Sequence, residues 1–336
     1  MVPDPAARAH LDPMGERGQL TQAAFTVVIP AYNEEAFVGD AIRSVLGQSR
    51  PDFELIVVDD GSTDRTAEVV GGFSDPRLRL VRQPNRGLAA SLNRGIAAGN
   101  APYVALLDAD DMWMPNFLQR MGKALDDDPG AGFAYTEAWW LDQQQGRFFR
   151  RSTSQYMGAP RVPPADPEAF LIAMMPANWV FGLPMLRRSA VERVGGFNAS
   201  LSACEDYELW IRLLANGFMA VYVAGRLVIQ RDRSGSMSKD VLNMLSNLRR
   251  VYEIAAAQPR VPEAAREIAR RRATAVEREI EALKRGRRSP RQVARRWLAR
   301  GAKRLMASRF WYRDTPPEVA AAFPDVDWGR SGPDAS

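Results

Sequence analysis

The sequence predicts an α/β protein with a doubly wound, mostly parallel sheet, and three observations point to this class. Between Phe25 and Thr136, four short runs rich in Val, Ile and Leu alternate with four amphipathic stretches. The apolar runs lack polar alternation, which is expected of strands that helices cover on both faces. Each amphipathic stretch follows a strand and precedes another, and such crossovers are right-handed in nearly all proteins.

The elements can be assigned in chain order. The predicted strands are 25–30, 53–60, 77–83 and 103–111, and the predicted helices between and after them are 35–46, 64–73, 88–98 and 115–125. Asp64 is a suitable N-cap for the second helix, and Pro115 suits a first helical turn. Residues 138–187 are rich in Pro, Trp and Gln, which indicates loops with one or two short helices. A helix over 203–216, a strand over 218–223 and helices over 241–257, 262–284 and 291–306 complete the prediction.

This pattern divides the chain into four segments. Residues 1–22 lack apolar periodicity and predict a disordered tail. Residues 23–238 form the main domain, and residues 239–313 form a basic helical extension. Residues 314–336 are rich in Pro and Asp and predict a loose C-terminal tail.

The chain of 336 residues contains one histidine and one cysteine, and these two counts exclude much chemistry. A zinc site of Cys and His ligands, a Ser-His-Asp triad and a structural disulfide all need more of these residues, or a placed histidine. The single His10 lies in the predicted disordered tail. Asp and Glu must therefore serve any metal or general base, and such oxygen ligands suit Mg²⁺ or Mn²⁺.

The net charge of +5 is unevenly distributed. Residues 260–313 carry 18 Lys+Arg and 5 Glu, a balance of +13, so the other residues sum to −8. Basic residues there are interleaved with Leu, Val and Trp, which resembles a helix that lies on an anionic membrane surface. A solvated extension or a partner-binding helix explains the pattern equally well, whereas nucleic acid is an unlikely partner because no nucleic-acid module accompanies it.

No run of about 18 apolar residues occurs, and the first residues lack the basic and apolar regions of a signal peptide. We therefore expect a cytoplasmic protein, with peripheral attachment to the inner face of the membrane if the basic extension binds lipid.

Three predicted strands end in polar groups, and ligands of open α/β sheets bind at that edge. These groups are Tyr32 to Glu34, Asp59 and Asp60, and Asp108 to Asp111. Tyr32 could stack on a nucleotide base, and Asp59 or Asp60 could accept a hydrogen bond from its ring. Asp108 and Asp110 would repel each other unless a cation or a proton lay between them. A single aspartate at a strand end is more often a turn residue, but three such ends in one sheet favour a site.

Five sequence blocks occur in a fixed order, and together they form a very specific signature. They read VVIPAYNEE, LIVVDDGSTDRT, QPNRGLAASLNRGI, VALLDADD and VGGF followed by CEDYELWIRL. Over about Phe25 to Val223, this series resembles the family 2 glycosyltransferases, which have the GT-A fold, a Rossmann-like sheet. The resemblance implies inverting transfer of a sugar from a nucleotide diphosphate sugar, a UDP-sugar first of all, to an acceptor hydroxyl. It also implies an Mn²⁺ or Mg²⁺ cofactor, a glycan or lipid-linked acceptor and a role in cell-surface glycan synthesis.

The resemblance also implies roles for individual residues. Asp206 matches the catalytic base, while Asp108 and Asp110 match the D-x-D motif, whose last Asp is the main metal ligand on the diphosphate. Trp179 and Glu205 fall near the expected acceptor pocket. The positions that match the nucleotide-sugar pocket are Pro30, Tyr32, Glu34, Asp59, Asp60, Asn85, Arg86, Gly87, Asn93 and Asp108.

One block departs from the family pattern. Where members often carry a histidine that reaches the metal or diphosphate, this chain has Arg233 in the stretch IQRDRSGSMSKD. Arginine cannot ligate a metal, but it pairs well with phosphate oxygens. We therefore expect Arg231 or Arg233 to bind the diphosphate, although a solvated loop would also explain the change.

Two other functions remain open at this point. A nucleotidyltransferase on a similar sheet would carry a glycine-rich basic loop after the first strand, whereas this chain has the acidic AYNEE. A non-catalytic nucleotide-sugar-binding or membrane-binding protein would tolerate loss of Asp206, so the presence of that residue argues against it.

Overall fold

A computed structural model describes residues 23–150, 163–180, 184–233, 240–290, 292–293, 312, 315–326 and 328. The predicted disordered tail at 1–22 and nearly all of the predicted helix at 291–306 lie outside these residues.

The described residues form nine strands and ten helices. The strands are β1 (Phe25–Ala31), β2 (Phe53–Asp59), β3 (Leu78–Arg82), β4 (Tyr103–Leu106), β5 (Met112–Trp113), β6 (Ala131–Asp142), β7 (Arg147–Phe149), β8 (Met185–Arg187) and β9 (Met219–Asp232). The helices are α1 (Val38–Leu46), α2 (Thr66–Gly71), α3 (Leu88–Ala98), α4 (Phe117–Asp127), α5 (Pro167–Met174), α6 (Arg188–Val194), α7 (Glu205–Ala215), α8 (Val241–Ala257), α9 (Glu263–Lys284) and α10 (Pro317–Ala322).

All strands belong to one sheet with the order β3-β2-β1-β4-β8-β6-β9-β5, and β7 pairs with β6. The first four strands are parallel, with Ala31 of β1 opposite Asp59 of β2 and Val28 opposite Leu106 of β4. Strand β8 is antiparallel to both of its neighbours, while β6 and β9 are parallel to each other. The predicted class, a doubly wound and mostly parallel sheet of GT-A type, is confirmed.

Helices cover both faces of the sheet. Side chains of α1, α2 and α4 pack on one face, around Val27, Ile29 and Val57. Side chains of α3 and α5 to α9 pack on the other, around Val28, Val104 and Phe133. Strands β1, β2 and β4 therefore contribute alternate side chains to two cores, which explains their unbroken apolar sequences.

The structure differs from the sequence prediction in the middle section. Residues 138–142, expected in a loop, continue β6, and β9 runs on to Asp232 instead of ending at Val223. The two strands pair along almost their whole length. This long-range pairing satisfies the backbone polar groups of a segment whose composition alone indicates a loop.

Two helix starts also differ. Helix α4 begins at Phe117, after Pro115, and the carbonyl oxygen of Pro115 accepts a hydrogen bond from Ser49 N at 2.8 Å. Helix α2 begins at Thr66, and Asp64 accepts a hydrogen bond from Thr66 N at 2.9 Å, as a capping side chain does.

The first half of the basic extension packs on the main domain. Ala265, Ala269, Val276 and Ile280 of α9 are buried in the same core as Val28 of β1. The apolar face of the residues up to Lys284 is therefore covered by the main domain, in an extension for which the sequence left membrane binding, partner binding and solvation open. No helix among the described residues has the length and apolar character needed to cross a membrane.

Part of the segment predicted to be loose is ordered instead. It forms α10, and Val319 and Trp328 are buried in a third, smaller core with Met112 of β5, Trp139 of β6 and others. The rings of Trp328 and Phe148 lie 5.4 Å apart in an edge-to-face contact. The C-terminal segment therefore packs next to the strand that follows the acidic turn.

Candidate active site

The polar strand ends meet at one edge of the sheet, as the parallel topology requires. Asp60 N donates to Ala31 O at 2.8 Å, and Leu107 N donates to Val28 O at 3.0 Å. The segments after β1, β2 and β4 are thereby brought side by side. The aromatic ring of Tyr32 projects from this edge and is 47% exposed, while Pro30 is buried within β1.

An acidic cluster follows β4. Carboxylate oxygens of Asp108, Asp110 and Asp111 all lie within 4.8 Å of one another. Burial and the neighbouring charge of Asp110 raise the pKa of Asp108 to about 7, and Asp206 and Glu34 add to the effect. Burial, with the charges of Asp110 and Asp108, also raises the pKa of Asp111. The cluster is thus short of positive charge, which is the electrostatic condition for binding a cation.

Two arginines, Arg231 within the end of β9 and Arg233 just after it, approach this cluster in different ways. Arg231 is 3% exposed at its side chain and donates to the carbonyl oxygen of Asp110 at 3.0 Å and to Asp40 at 2.8 Å. Arg233 donates from Nε to Asp110 at 2.7 Å and forms an ion pair with Glu34. Arg231 therefore links Asp110 and Asp40 within the protein interior, whereas the guanidinium of Arg233 faces the acidic edge.

Glu34 has an unusual environment. Burial, followed by the charge of Asp110, raises its pKa to about 7 despite the ion pair with Arg233. Its Oε1 pairs with Arg233, whereas its buried Oε2 has no hydrogen-bond partner. A buried, unpartnered carboxylate oxygen beside three aspartates is a further acceptor for a ligand or a cation.

Asp59 and Asp60 shape the turn beside the next strand. Asp59 accepts hydrogen bonds from Ser62 N at 2.9 Å and Arg82 Nε at 3.2 Å. Asp60 accepts from Gln83 Nε2 at 2.7 Å, Arg86 N at 2.9 Å and Gly87 N at 2.8 Å. The backbone of the predicted nucleotide block is therefore tied to the end of β2 by Asp60.

The close approach of the 59–62 turn to the loop at Asn85 requires a glycine at position 61. Gly61 has φ +77°, and a Cβ at this position would lie 2.8 Å from Asn85 N. A side chain would force the two loops apart. Asn85 and Arg86 are both exposed at this edge, where the resemblance places the nucleotide-sugar pocket.

The side-chain amide of Asn93 contacts the backbone of Phe197. Its amide donates to Phe197 O and accepts from Phe197 N, both at 2.8 Å. Gly196, at φ +74°, lies so close that a Cβ would be 2.6 Å from Asn93 Oδ1. Both ends of the amide therefore hold the turn before α7, and the place of Asn93 in the nucleotide-sugar pocket stays a prediction.

Asp206 lies in the first turn of α7, where the helix dipole favours a negative charge. Its Oδ1 accepts from Tyr207 N at 2.6 Å, and its Oδ2 accepts from Asn178 Nδ2 at 3.0 Å. Burial nevertheless raises the pKa of Asp206, and Asp206 in turn raises that of Asp108. The start of α7 is therefore near enough to Asp108 for the two carboxyl groups to interact electrostatically.

The two residues that the resemblance places near the acceptor pocket are both buried, in different surroundings. Glu205 is buried beside Asp206, and burial with that charge raises its pKa to about 8. Trp179 is only 3% exposed, and its ring packs against Phe170 and Tyr135 at centroid distances of 4.7 and 6.1 Å. Core neighbours cover this indole, and its place near the acceptor pocket stays a prediction.

The residues present fit a divalent cation. The donor set is carboxylate oxygen only, which suits Mg²⁺ or Mn²⁺. The raised pKa of Asp108 and the unpartnered Oε2 of Glu34 both indicate uncompensated acceptor capacity at the cluster. Asp110 and Asp108 are the predicted ligands, and Asp111 joins them in the structure.

Sequence reasoning missed two contributors. Asp111 was visible as the last residue of LDADD, although the D-x-D pattern directs attention to the first two acids. Asn178 has no local signal, because its contact with Asp206 joins residues that are 28 positions apart.

The fold and the site define a class of protein: an α/β scaffold with a cluster of carboxylates at the carboxyl edge of its sheet, which could hold a metal ion. The sequence model of "Glycosyl transferase family 2" matches residues 26–163, and that of "Glycosyl transferase family group 2" matches residues 103–250. The succinoglycan biosynthesis protein ExoU of Rhizobium meliloti is 31% identical over 249 residues, 70% of each chain. The chain therefore belongs to glycosyltransferase family 2.

Other comparisons agree. Succinoglycan biosynthesis protein ExoO of Rhizobium meliloti is 32% identical over 64% of this chain and 62% of its own. The structure of S. aureus TarS 1-349 in complex with UDP-GlcNAc has a TM-score of 0.58 at 18% identity, covering 73% of this chain and 70% of its own. A mannosyltransferase from Pyrobaculum calidifontis, in complex with GDP-Man and Mn²⁺, has a TM-score of 0.56 at 20% identity, covering 90% and 79%. At these identities the structural likeness shows the fold.

Proposed function

We propose that the protein transfers a sugar from a nucleotide diphosphate sugar to an acceptor hydroxyl, with inversion at the anomeric carbon. The observation that carries this proposal is the electrostatic interaction of Asp206 with the acidic cluster: after burial and the charge of Asp110, the charge of Asp206 helps to raise the pKa of Asp108. A leaving diphosphate at the cluster and a base on the opposite side are the two requirements of in-line displacement. A UDP-sugar is the donor to test first, with GDP-mannose beside it.

On the donor side, we propose that the exposed ring of Tyr32 packs against the nucleotide base of the donor. Asp59 and Asp60 would lie behind Tyr32. Asp110 and Asp108 would hold a divalent cation, with Asp111 beside them, and a cation there would supply positive charge to the leaving diphosphate. Arg233 would donate to phosphate oxygens, since its guanidinium already faces Asp110 and Glu34 at this edge.

On the acceptor side, we assign Asp206 as the general base. A carboxylate whose pKa burial has raised accepts a proton near neutral pH more readily than an ordinary aspartate. The hydroxyl of the acceptor would lose its proton to Asp206 as its oxygen attacks the anomeric carbon. Glu205, the neighbouring buried acid, would border the acceptor.

The wider role follows from relatives and charge. Because two relatives are succinoglycan biosynthesis proteins, we propose a role in polysaccharide synthesis with a glycan or lipid-linked acceptor. Such synthesis would take place in the cytoplasm, with the protein docked peripherally on an anionic membrane.

The experiment is a thermal-shift panel of UDP-glucose, UDP-N-acetylglucosamine, UDP-galactose and GDP-mannose, each with Mn²⁺, with Mg²⁺ and with EDTA. We expect at least one donor to raise the melting temperature in a manner that needs the cation. Asp110→Asn should abolish the cation dependence because it removes the main predicted ligand, and Arg233→Ala should weaken donor binding about tenfold.

Turnover of the stabilising donor then tests the base. Asp206→Asn should keep donor binding and lower the rate of nucleotide release by about 10²- to 10⁴-fold. If no donor stabilises the wild type under any cation condition, the proposed function is wrong. NMR of the transferred or hydrolysed sugar reports the anomeric configuration, and retention would refute the inverting mechanism.

A further inference from the structure

Asn178 contacts Asp206 from a segment of the chain with no other assigned role. Its Nδ2 donates to Asp206 Oδ2 at 3.0 Å, while Asp206 Oδ1 accepts from Tyr207 N at 2.6 Å. Each carboxylate oxygen thus has one fixed donor. A carboxylate has about four lone-pair sites, so both oxygens keep capacity for a further proton donor.

The orientation of the Asn178 amide is itself determined. Its Oδ1 accepts from Val180 N at 3.2 Å, so the NH₂ group is the end that faces Asp206. An amide in this orientation can only donate to the carboxylate. It therefore favours the ionised form of Asp206, whose pKa burial raises.

The segment that carries Asn178 is held at several points. Tyr207, the residue after Asp206, donates from its hydroxyl to Met175 O at 2.8 Å. Tyr252 of α8 donates to Pro176 O at 3.4 Å, and Trp179 is anchored in the core. The donor and the carboxylate are thus tied to one rigid unit, which includes a helix of the basic extension.

We propose that Asn178 is a positioning residue for the catalytic base: it fixes the Asp206 carboxylate in one rotamer and holds it ionised, leaving its free lone pairs for the acceptor hydroxyl. This inference rests on the proposed function, in which Asp206 is the base. During transfer the acceptor proton moves to Asp206, and Asn178 keeps its own protons.

Burial raises the pKa of Asp206, and the hydrogen bonds from Tyr207 N and then from Asn178 lower it. Asp108 from the end of β4 and Glu205 from α7 place negative charge near Asp206, and Cys204 adjoins them at the helix start. Like charges disfavour ionisation of a carboxyl group. Among the described side chains, the Asn178 amide is the one hydrogen-bond donor that opposes them at this carboxylate.

The test is the titration of Asp206 in the full-length protein, labelled with ¹³C at aspartate side-chain carboxyls. The resonance is identified by its absence from Asp206→Asn, and this measurement needs no donor or acceptor. We expect Asn178→Ala to move the midpoint to higher pH. The acid limb of donor turnover, measured with the UDP- or GDP-sugar that stabilises the protein, should move in the same direction, with the plateau rate about tenfold lower.

Asn178→Asp separates positioning from packing. Aspartate is isosteric and still accepts from Val180 N, but when ionised it cannot donate to Asp206 and adds a negative charge. We expect a larger upward shift than for Asn178→Ala. Asn247→Ala is the matched control, because Asn247 is a buried asparagine that holds Ser202 and does not touch Asp206.

The outcomes separate this inference from the proposed function. If both Asn178 variants keep the wild-type midpoint and pH profile, Asn178 is structural and the inference is overturned, whatever the activity of Asp206→Asn. A plateau loss without any shift in midpoint would overturn it equally. If Asp206→Asn retains the wild-type rate, the proposed base is wrong, even when the midpoint shift confirms the contact.

Discussion

Carboxyl groups in this protein have roles that depend on their partners more than on their residue type. Asp60 accepts three hydrogen bonds and ties a loop, whereas Asp108 and Glu34 have neighbours of their own sign. Asp206 lies between these cases, with two donors and a buried position. The carboxyl groups of the acidic edge therefore repel one another, and a bound cation would reduce this repulsion.

This repulsion, together with burial, predicts a pH dependence of stability. Burial raises the pKa of Glu34 and Asp108 to about 7 and that of Glu205 to about 8, all well above their ordinary values. Between pH 4 and 8 the folded protein then binds more protons than the unfolded chain, so stability falls as pH rises through this range. Thermal unfolding without divalent cation should show a melting temperature that decreases from pH 5 to pH 8.

Two controls accompany this measurement. Asp108→Asn removes one of the charges and should raise the melting temperature at pH 8 by about 2–4 °C, which corresponds to about 1 kcal/mol. Mn²⁺ should raise the melting temperature of the wild type at pH 8 more than that of Asp108→Asn. A melting temperature that does not change with pH would show that these acids are not protonated in the folded state.

Residues with a local signal can be located from the sequence, whereas contacts between residues far apart in the chain cannot. The acids of LDADD and Glu-Asp can be read directly from the chain. The family resemblance places Trp179 near the acceptor pocket, but the contacts of its ring with Phe170 and Tyr135 have no signal in the sequence. The amide of Asn93 is used by Phe197, 104 positions away, which no local pattern reveals.

At the scale of elements, the first four strands were predicted within a few residues because each has its own apolar core pattern. Strands β6 and β9 were not, because their pairing with each other stabilises them along segments of mixed composition. The short antiparallel β8, three residues long, is similarly defined by its two neighbours. Pairing partners, and not local propensity, determine these elements.

The packing of the C-terminal segment gives a prediction at this scale. Trp328 and Val319 are buried against β6 and β7, in the same small core as Met112, which follows the acidic turn. Trp328→Ala should lower the free energy of unfolding by about 3 kcal/mol, since it opens a large cavity. Chemical denaturation measures this loss.

Leu242→Ala is the control for that experiment. Leu242 is 43% exposed, so its truncation should change the unfolding free energy by less than about 0.5 kcal/mol. Equal stabilities of Trp328→Ala and Leu242→Ala would contradict the packing of the C-terminal segment.

At the scale of the whole molecule, the basic residues of the C-terminal extension fall into two groups. Arginines of α9 are largely paired: Arg270 contacts Glu263 and Glu267, and Arg271 contacts Glu267. Residues 285–313 carry 11 Lys+Arg and no Asp or Glu. Beyond Lys284, Arg285 pairs with Glu281 and Arg288 pairs with Glu279. We therefore expect attraction to an anionic surface to depend on the basic residues from Arg291 onward.

This separation predicts which charges bind membranes. In flotation with vesicles of phosphatidylcholine and phosphatidylglycerol, the wild type should float at low salt and much less at 0.5 M NaCl, because each basic residue near the surface contributes about 1 kcal/mol and salt screens it. Replacing Arg295, Arg296, Arg300, Lys303 and Arg304 with Gln should abolish flotation. Arg270→Gln with Arg271→Gln should leave it unchanged, because those side chains already pair with glutamates. Equal losses in the two variants would show that total charge, and not the uncompensated segment, drives binding, and no flotation of the wild type would refute membrane docking.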